Sequence, residues 1–284
     1  MTAAPSYVLG TSAGELERLG RQHQIWRDDT LAGWRQAGFG PGQRILDLGC
    51  GPGFAALDLA ELVGTGGRVL AVDNAEPYLA HLQQQAEDRK MPQLASLTWD
   101  LNTGRAKRTD LRAGAPPPLI GPAGWDGVWC RWVAMFLNDP EALVQLIAQA
   151  LRPGGRLVLH EYVQWDTFAL IPGGEAVARF VQCCIGHWQA SGGDPHIGRR
   201  LPELLERHGL RLVQTRSLLA CERGDGPKAL WLQDFLQCYS PQLAAAGLWS
   251  PQDQQQLESE LQPARRRSSL WVTPALVEMI WERP

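Results

Sequence analysis

The stretch Arg44–Phe54, RILDLGCGPGF, constrains the fold of this chain more than any other, because apolar residues run straight into glycines at 49, 51 and 53. Such a run reads as a buried strand, and glycines directly after it read as a strand-to-helix turn where a ligand approaches bare backbone. This is the position nucleotide folds use, and it implies an α/β architecture. The spacing is G-x-G-x-G. The dinucleotide fingerprint would need its third glycine at position 54, which is Phe54, so a pyrophosphate ligand is disfavoured. A P-loop is excluded, since no Lys-Ser/Thr pair follows.

The rest of the chain repeats the alternation. Apolar runs expected as parallel strands lie at Arg44–Leu48, Arg68–Asp73, Leu94–Trp99, Asp126–Arg131 and Gly155–Tyr162. Helical patterns at Phe54–Val63, Ala75–Arg89 and Pro140–Leu151 separate them, closed by GTGG, by Pro92 and by RPGG. Right-handed crossovers then give a mostly parallel sheet with helices on both faces. Two later strands, Leu210–Leu219 and Ala275–Glu282, bring the expected total to seven. Residues 163–208 and 224–270 read as helical insertions rich in Trp, Gln and Leu, placed after strands at the carboxyl edge, where they would roof a site. The Gly/Pro-rich stretch from Leu101 to Trp125 reads as a surface connection.

Acidic residues mark the strand ends. Asp47 precedes the first glycine, Asp73 ends the next strand about 20 residues past Gly53, where an acid can accept from a ribose diol, and Asp100 follows the third strand. An acid there can also accept from an exocyclic amine of a base. Any one of them alone reads equally well as a cap or turn residue. Three in succession beside the glycines point to a nucleoside.

With ILDLGCGPG, VLAVDNA, WDLN, WDGVWCRWV and LRPGGRLVLHEY in this order, the sequence resembles the class I S-adenosylmethionine-dependent methyltransferases over roughly residues 40 to 220. YVLGTSAGELERLGRQ and GGDPHIGRRLPELLERHGL add a likeness to bacterial small-molecule methyltransferases related to the ubiquinone and menaquinone methylases. The resemblance implies a Rossmann-like fold with S-adenosylmethionine as cofactor and S-adenosylhomocysteine as product. It implies that Asp47, Gly49, Cys50, Gly51 and Gly53 hold the methionine part, Asp73 and Asn74 the ribose, and Asp100 with Leu101 the adenine. Cys130 and Arg131 would line the cofactor, with Tyr7, Arg18 and Gln22 closing over its methionine end. The expected organisation is a helical lid over residues 1–36 and a cofactor-binding domain with its cap over 37–284.

Methyl transfer from a sulfonium needs mainly orientation, but a hydroxyl acceptor gains from a base in hydrogen-bond reach. His160 and Glu161 at the end of the fifth strand, and His187 and His196 in the first insertion, are the candidates. Each has an equally simple reading as a hydrogen-bonded part of the fold. Arg199 and Arg200 could grip an acidic substrate or be solvated. Of the twelve tryptophans, Trp165, Trp188, Trp231 and Trp249 fall in the insertions, where they pack a cap or wall in a planar acceptor.

A net charge of −3 leaves no broad positive field for nucleic acid. No secretory pattern opens the sequence and no stretch approaches the ~20 apolar residues of a membrane helix, so a cytoplasmic protein with a small-molecule partner is expected. Six cysteines without metal-ligand spacing suggest neither a disulfide framework nor a metal site. Two other readings stay open: an NAD-dependent Rossmann oxidoreductase and a non-catalytic nucleoside-binding module.

Overall fold

The computed structural model describes residues 12–103, 105–106, 124–264 and 268–284. Its frame is a sheet of eight strands: β1 (Arg44–Leu48), β2 (Arg68–Asp73), β3 (Leu94–Asp100), β4 (Arg105–Ala106), β5 (Trp125–Arg131), β6 (Leu151–Gln164), β8 (Arg211–Ser217) and β11 (Ala275–Glu282). They lie in the order β4-β3-β2-β1-β5-β6-β11-β8. The seven long strands match the expected number, and β4 adds two antiparallel residues at one edge. β1, β2, β3, β5 and β6 pair in parallel, whereas β11 runs antiparallel to both its neighbours. The expected strand bounds hold to within a residue or two, apart from β6, which begins at Leu151 because the chain rejoins the sheet through a register shift opposite Trp125.

Alternation along the strands builds two cores. Ile45, Val69, Ala71, Trp129, Val158 and Ile280 face α1 (Ala13–Gln36), α2 (Phe54–Val63) and α3 (Glu76–Asp88). Leu46, Leu48, Leu70, Val72, Val128, Leu157 and Leu159 face the other way, toward α4 (Pro140–Ala150) and α6 (Leu201–Arg207). This is the period-2 pattern of a sheet covered on both faces.

α1 starts at Ser12, whose hydroxyl accepts from the Glu15 N–H at 3.2 Å. Its first half reaches the carboxyl edge of the sheet. In its second half, Trp26, Thr30 and Trp34 recur every four residues along one side and are fully buried. Residues 1–11 of the expected lid lie outside the described residues, and residues 13–36 form one helix whose first half borders the site and whose second half packs in the core. An ionic network fastens it: Asp29 takes Arg216 at 3.1 Å and Lys228 at 2.9 Å.

The cap differs from expectation in two ways. Within 163–208, α6 packs on α4 and β8 and so belongs to the flank of the sheet. A second, three-stranded antiparallel sheet also joins β7 (Ala169–Ile171), inside the first insertion, to β10 (Leu270–Val272) and β9 (Cys221–Arg223), which flank the second. Strands of three residues are too short to carry a period, so a helical reading prevailed there. The cap helices are α5 (Glu175–Ala190), α7 (Pro227–Ala245) and α8 (Pro251–Ala264). The Glu260 carboxylate on α8 accepts from the Ala176 and Val177 N–H groups at the start of α5, at 2.8 and 3.3 Å.

Candidate active site

A cavity of about 470 Å³ opens at the carboxyl ends of β1, β2, β3, β5 and β6, between α1, α5 and α7. The glycine loop forms its floor. Gly49, Gly51 and Gly53 all take positive φ, which only glycine adopts without strain. A Cβ at Gly49 would overlap the Val133 side chain, and one at Gly53 would overlap Leu82, so these two glycines are needed for packing. At Gly51 a Cβ would meet nothing within 4 Å, and that backbone faces open space. The Phe54 ring begins α2, lines the cavity and stacks 6.0 Å from His23, an apolar body where a dinucleotide fold keeps glycine.

Three strand-end acids line this space as expected. Asp73 fixes the loop by accepting from the Gly51 N–H at 2.8 Å and from the Ala75 N–H at 2.9 Å. Asp100 accepts from the Asn102 N–H at 2.9 Å. Asp47 is different, for its Oδ2 is buried without a hydrogen-bond partner. Burial pushes its carboxyl up to about 7, Arg131 opposing the rise and Asp73 adding to it.

Arg131 completes this end. It is half-buried, 5.0 Å from the Trp132 ring centre and 5.8 Å from that of Trp129, and it donates to Thr30 Oγ1 at 3.1 Å. No carboxylate is ion-paired with it among the described residues. Burial lowers its guanidinium to about 10 against the pull of Asp47. His23 stands 3.5 Å from Arg131 Nη2 through Nδ1, and its Nε2 is 3.1 Å from Asp58. Burial lowers the His23 pKa despite Asp58, so the neutral ring donates to Asp58 and accepts from Arg131.

The other end is aromatic. Trp132 stacks between Tyr162 and Trp231, with ring centres 5.8 and 5.7 Å apart. Trp165, Trp188 and Phe235 continue the wall from the cap. Gln22 Oε1 accepts from Arg18 at 3.0 Å and from the Trp231 indole at 2.8 Å, tying the two ends together.

Of the residues expected at the cofactor, Arg18, Gln22, Asp47, Gly49, Cys50, Gly51, Asp73, Asn74, Asp100, Leu101 and Arg131 line the cavity. Gly53 and Cys130 do not; Cys130 turns into the core, and Tyr7 lies outside the described residues. Burial also holds the Cys50 thiol well above its ordinary pKa, which leaves it unreactive.

None of the four acid–base candidates lines the cavity. His160 is buried beneath α1, 2.8 Å from Glu278 and edge-on to Trp129. Glu161 turns to the opposite face and accepts backbone N–H groups on both carboxyl oxygens, which favour its ionised form against the rise in pKa that burial causes. His187 bonds the Tyr239 hydroxyl at 2.9 Å, and His196 accepts from the Trp165 N–H at 3.3 Å. Arg199 donates to the Val163 carbonyl at 2.7 Å, away from the site.

Sequence reading missed His23, Trp99 and the turn from Trp132 to Asn138. His23 shared a helical face with Arg18, Leu19 and Gln22, a signal already present in the spacing. Among the described residues no helix is long and apolar enough to cross a membrane, and no group of three His, Cys, Asp or Glu side chains suits a metal ion.

Residues 46–159 match the methyltransferase domain family. The chain is 35% identical over 120 residues to a nocamycin O-methyltransferase of Saccharothrix syringae, covering 42% of this chain and 38% of that protein. It is 31% identical over 153 residues to a ubiquinone biosynthesis O-methyltransferase of Xanthomonas campestris, covering 52% of this chain and 56% of the relative. The match thus spans less than two thirds of either relative. In fold, the chain superposes with a TM-score of 0.55 and 17% identity on phosphoethanolamine N-methyltransferase 2 of Haemonchus contortus, solved with S-adenosyl-L-methionine, over 93% of this chain and 56% of that one. The fold is that of the class I methyltransferases.

Proposed function

We propose that this chain, with its methyltransferase domain over residues 46–159, binds S-adenosylmethionine at the carboxyl edge of the sheet and methylates a small, aromatic or partly apolar acceptor. The observation that carries this is the pair at the methionine end: a buried carboxylate oxygen on Asp47 without a partner, and a part-buried Arg131 without an ion pair among the described residues. A buried charge of either sign needs a partner, and an amino-acid zwitterion supplies both. Asp47 would accept from its ammonium and Arg131 would donate to its carboxylate. Asp73 would accept from the ribose, while Asp100 and Leu101 border the space for the base.

When bound, the cofactor supplies an electrophilic methyl group on a sulfonium. The chain's own part is to hold the acceptor in line and dry. Tyr162, Trp165, Trp188, Trp231 and Phe235, with Trp132 stacked between two of them, form an aromatic wall for a planar molecule and exclude water. Orientation of this kind is worth up to about 7–11 kcal/mol of a barrier. Proton transfer by His160, Glu161, His187 or His196 finds no support in their positions, so orientation carries the chemistry here.

The test is incubation of the protein with methyl-labelled S-adenosylmethionine and a metabolite extract, followed by mass spectrometry. Label is expected in a small aromatic product. Cofactor binding with label in no product would favour the non-catalytic module instead.

A further inference from the structure

We propose that Glu161 is a positioning residue, whose carboxylate shapes the active-site turn from beneath. The proposal builds on the reading of the cavity as a cofactor site. β5 and β6 stay paired as far as Arg131 opposite His160, and the Trp132 N–H still donates to the His160 carbonyl at 3.0 Å. There the β5 chain turns sharply. Trp132 takes φ 55°, a region that a bulky residue enters only when its surroundings compel it.

Glu161 is what stands behind that turn. It is wholly buried, and its partners are backbone N–H groups rather than a cation. Oε2 accepts from the Ala134 N–H at 3.0 Å and Oε1 from the Tyr162 N–H at 3.1 Å. One N–H donor on each oxygen calls for an ionised carboxylate. Its two oxygens present about four acceptor sites, whereas an amide has one acceptor oxygen and would aim its own N–H at the turn.

The turn is where the two ends of the cavity meet. It carries Arg131 and Val133 on the glycine-loop side, Val133 seated against Gly49 where no Cβ fits. It also carries Trp132, the centre of the aromatic wall. Glu161 lines no part of the cavity, so any effect it has on a ligand passes through the turn.

Calorimetry with S-adenosylhomocysteine on the full chain tests this, beginning with the unaltered protein. Absence of binding there refutes the cofactor reading itself. For E161Q we expect a cooperative melt, a stoichiometry near one and a Kd raised about tenfold or more. A residue that only stabilised the fold would lower Tm and leave the Kd of folded molecules unchanged. A folded E161Q binding within twofold of the unaltered protein overturns the proposal. Amide hydrogen exchange on the unaltered protein decides the matter should E161Q not fold. The Ala134 N–H should exchange as slowly as sheet amides, and exchange at the rate of a free loop overturns the proposal equally.

Discussion

At the level of single residues, the Asp47 carboxyl sits close to its titration point at neutral pH, because burial has raised it to about 7. An ammonium presented to it favours the ionised form, so below that pH binding must first remove a proton. The sign follows. Affinity for S-adenosylhomocysteine should be flat above about pH 8 and fall by up to about tenfold per pH unit below 7. D47N should abolish that slope along with much of the affinity, and an unchanged slope by calorimetry would remove Asp47 from the site. Asp73→Ala should cost roughly 1.5–3 kcal/mol, about 10–150-fold in affinity, as measured in the same way. The strand-end acids were legible in the sequence because each closes an apolar run. The residues at 160 to 162 were not, for successive strand residues point to opposite faces, and apolarity on both faces hides which is which. His160 goes under α1, Glu161 under the turn, and Tyr162 alone reaches the cavity.

Among the elements, α1 carries the sharpest distinction. Arg18, Leu19, Gln22 and His23 line the cavity, while Trp26 and Trp34 are core. Trp34→Ala should destabilise the protein by about 3–5 kcal/mol, visible as a large drop in Tm. Arg18→Gln should weaken S-adenosylhomocysteine binding several-fold and lower Tm less than Trp34→Ala does, since the guanidinium pairs with the buried Glu15 at 2.7 Å, bonds Gln22 and borders the ligand space. Equal effects of the two on Tm would contradict this division. The helix itself was readable from Ser12 and Glu15 at capping-box spacing. The packing of its second half was written in the four-residue recurrence of Trp26, Thr30 and Trp34. β7, β9 and β10, at three residues each, were beyond any periodic signal.

For the whole molecule, the cap and the sheet share one core, since a single cluster of buried side chains runs from Leu46 and Leu70 through Trp165 and Phe235 to Leu257. Cap and sheet should therefore unfold in one transition, with calorimetric and van't Hoff enthalpies equal. Two resolved transitions would mean the cap is a separate domain. The alternation of strand and helix, and with it the class of fold, could be read from the chain because each element buries a patterned face. The path of the cap could not, because its tryptophans pack against one another across segments distant in sequence, as Trp165 does with Trp188 and Phe235 at 4.7 and 5.4 Å. The central claim is that the cavity at the strand ends holds S-adenosylmethionine rather than a dinucleotide. Side-by-side calorimetry with S-adenosylhomocysteine and NADH tests it most directly. One molecule of S-adenosylhomocysteine per chain, bound with an affinity that Asp73→Ala reduces, and no heat from NADH is the predicted result; saturable NADH binding with none for S-adenosylhomocysteine would contradict it.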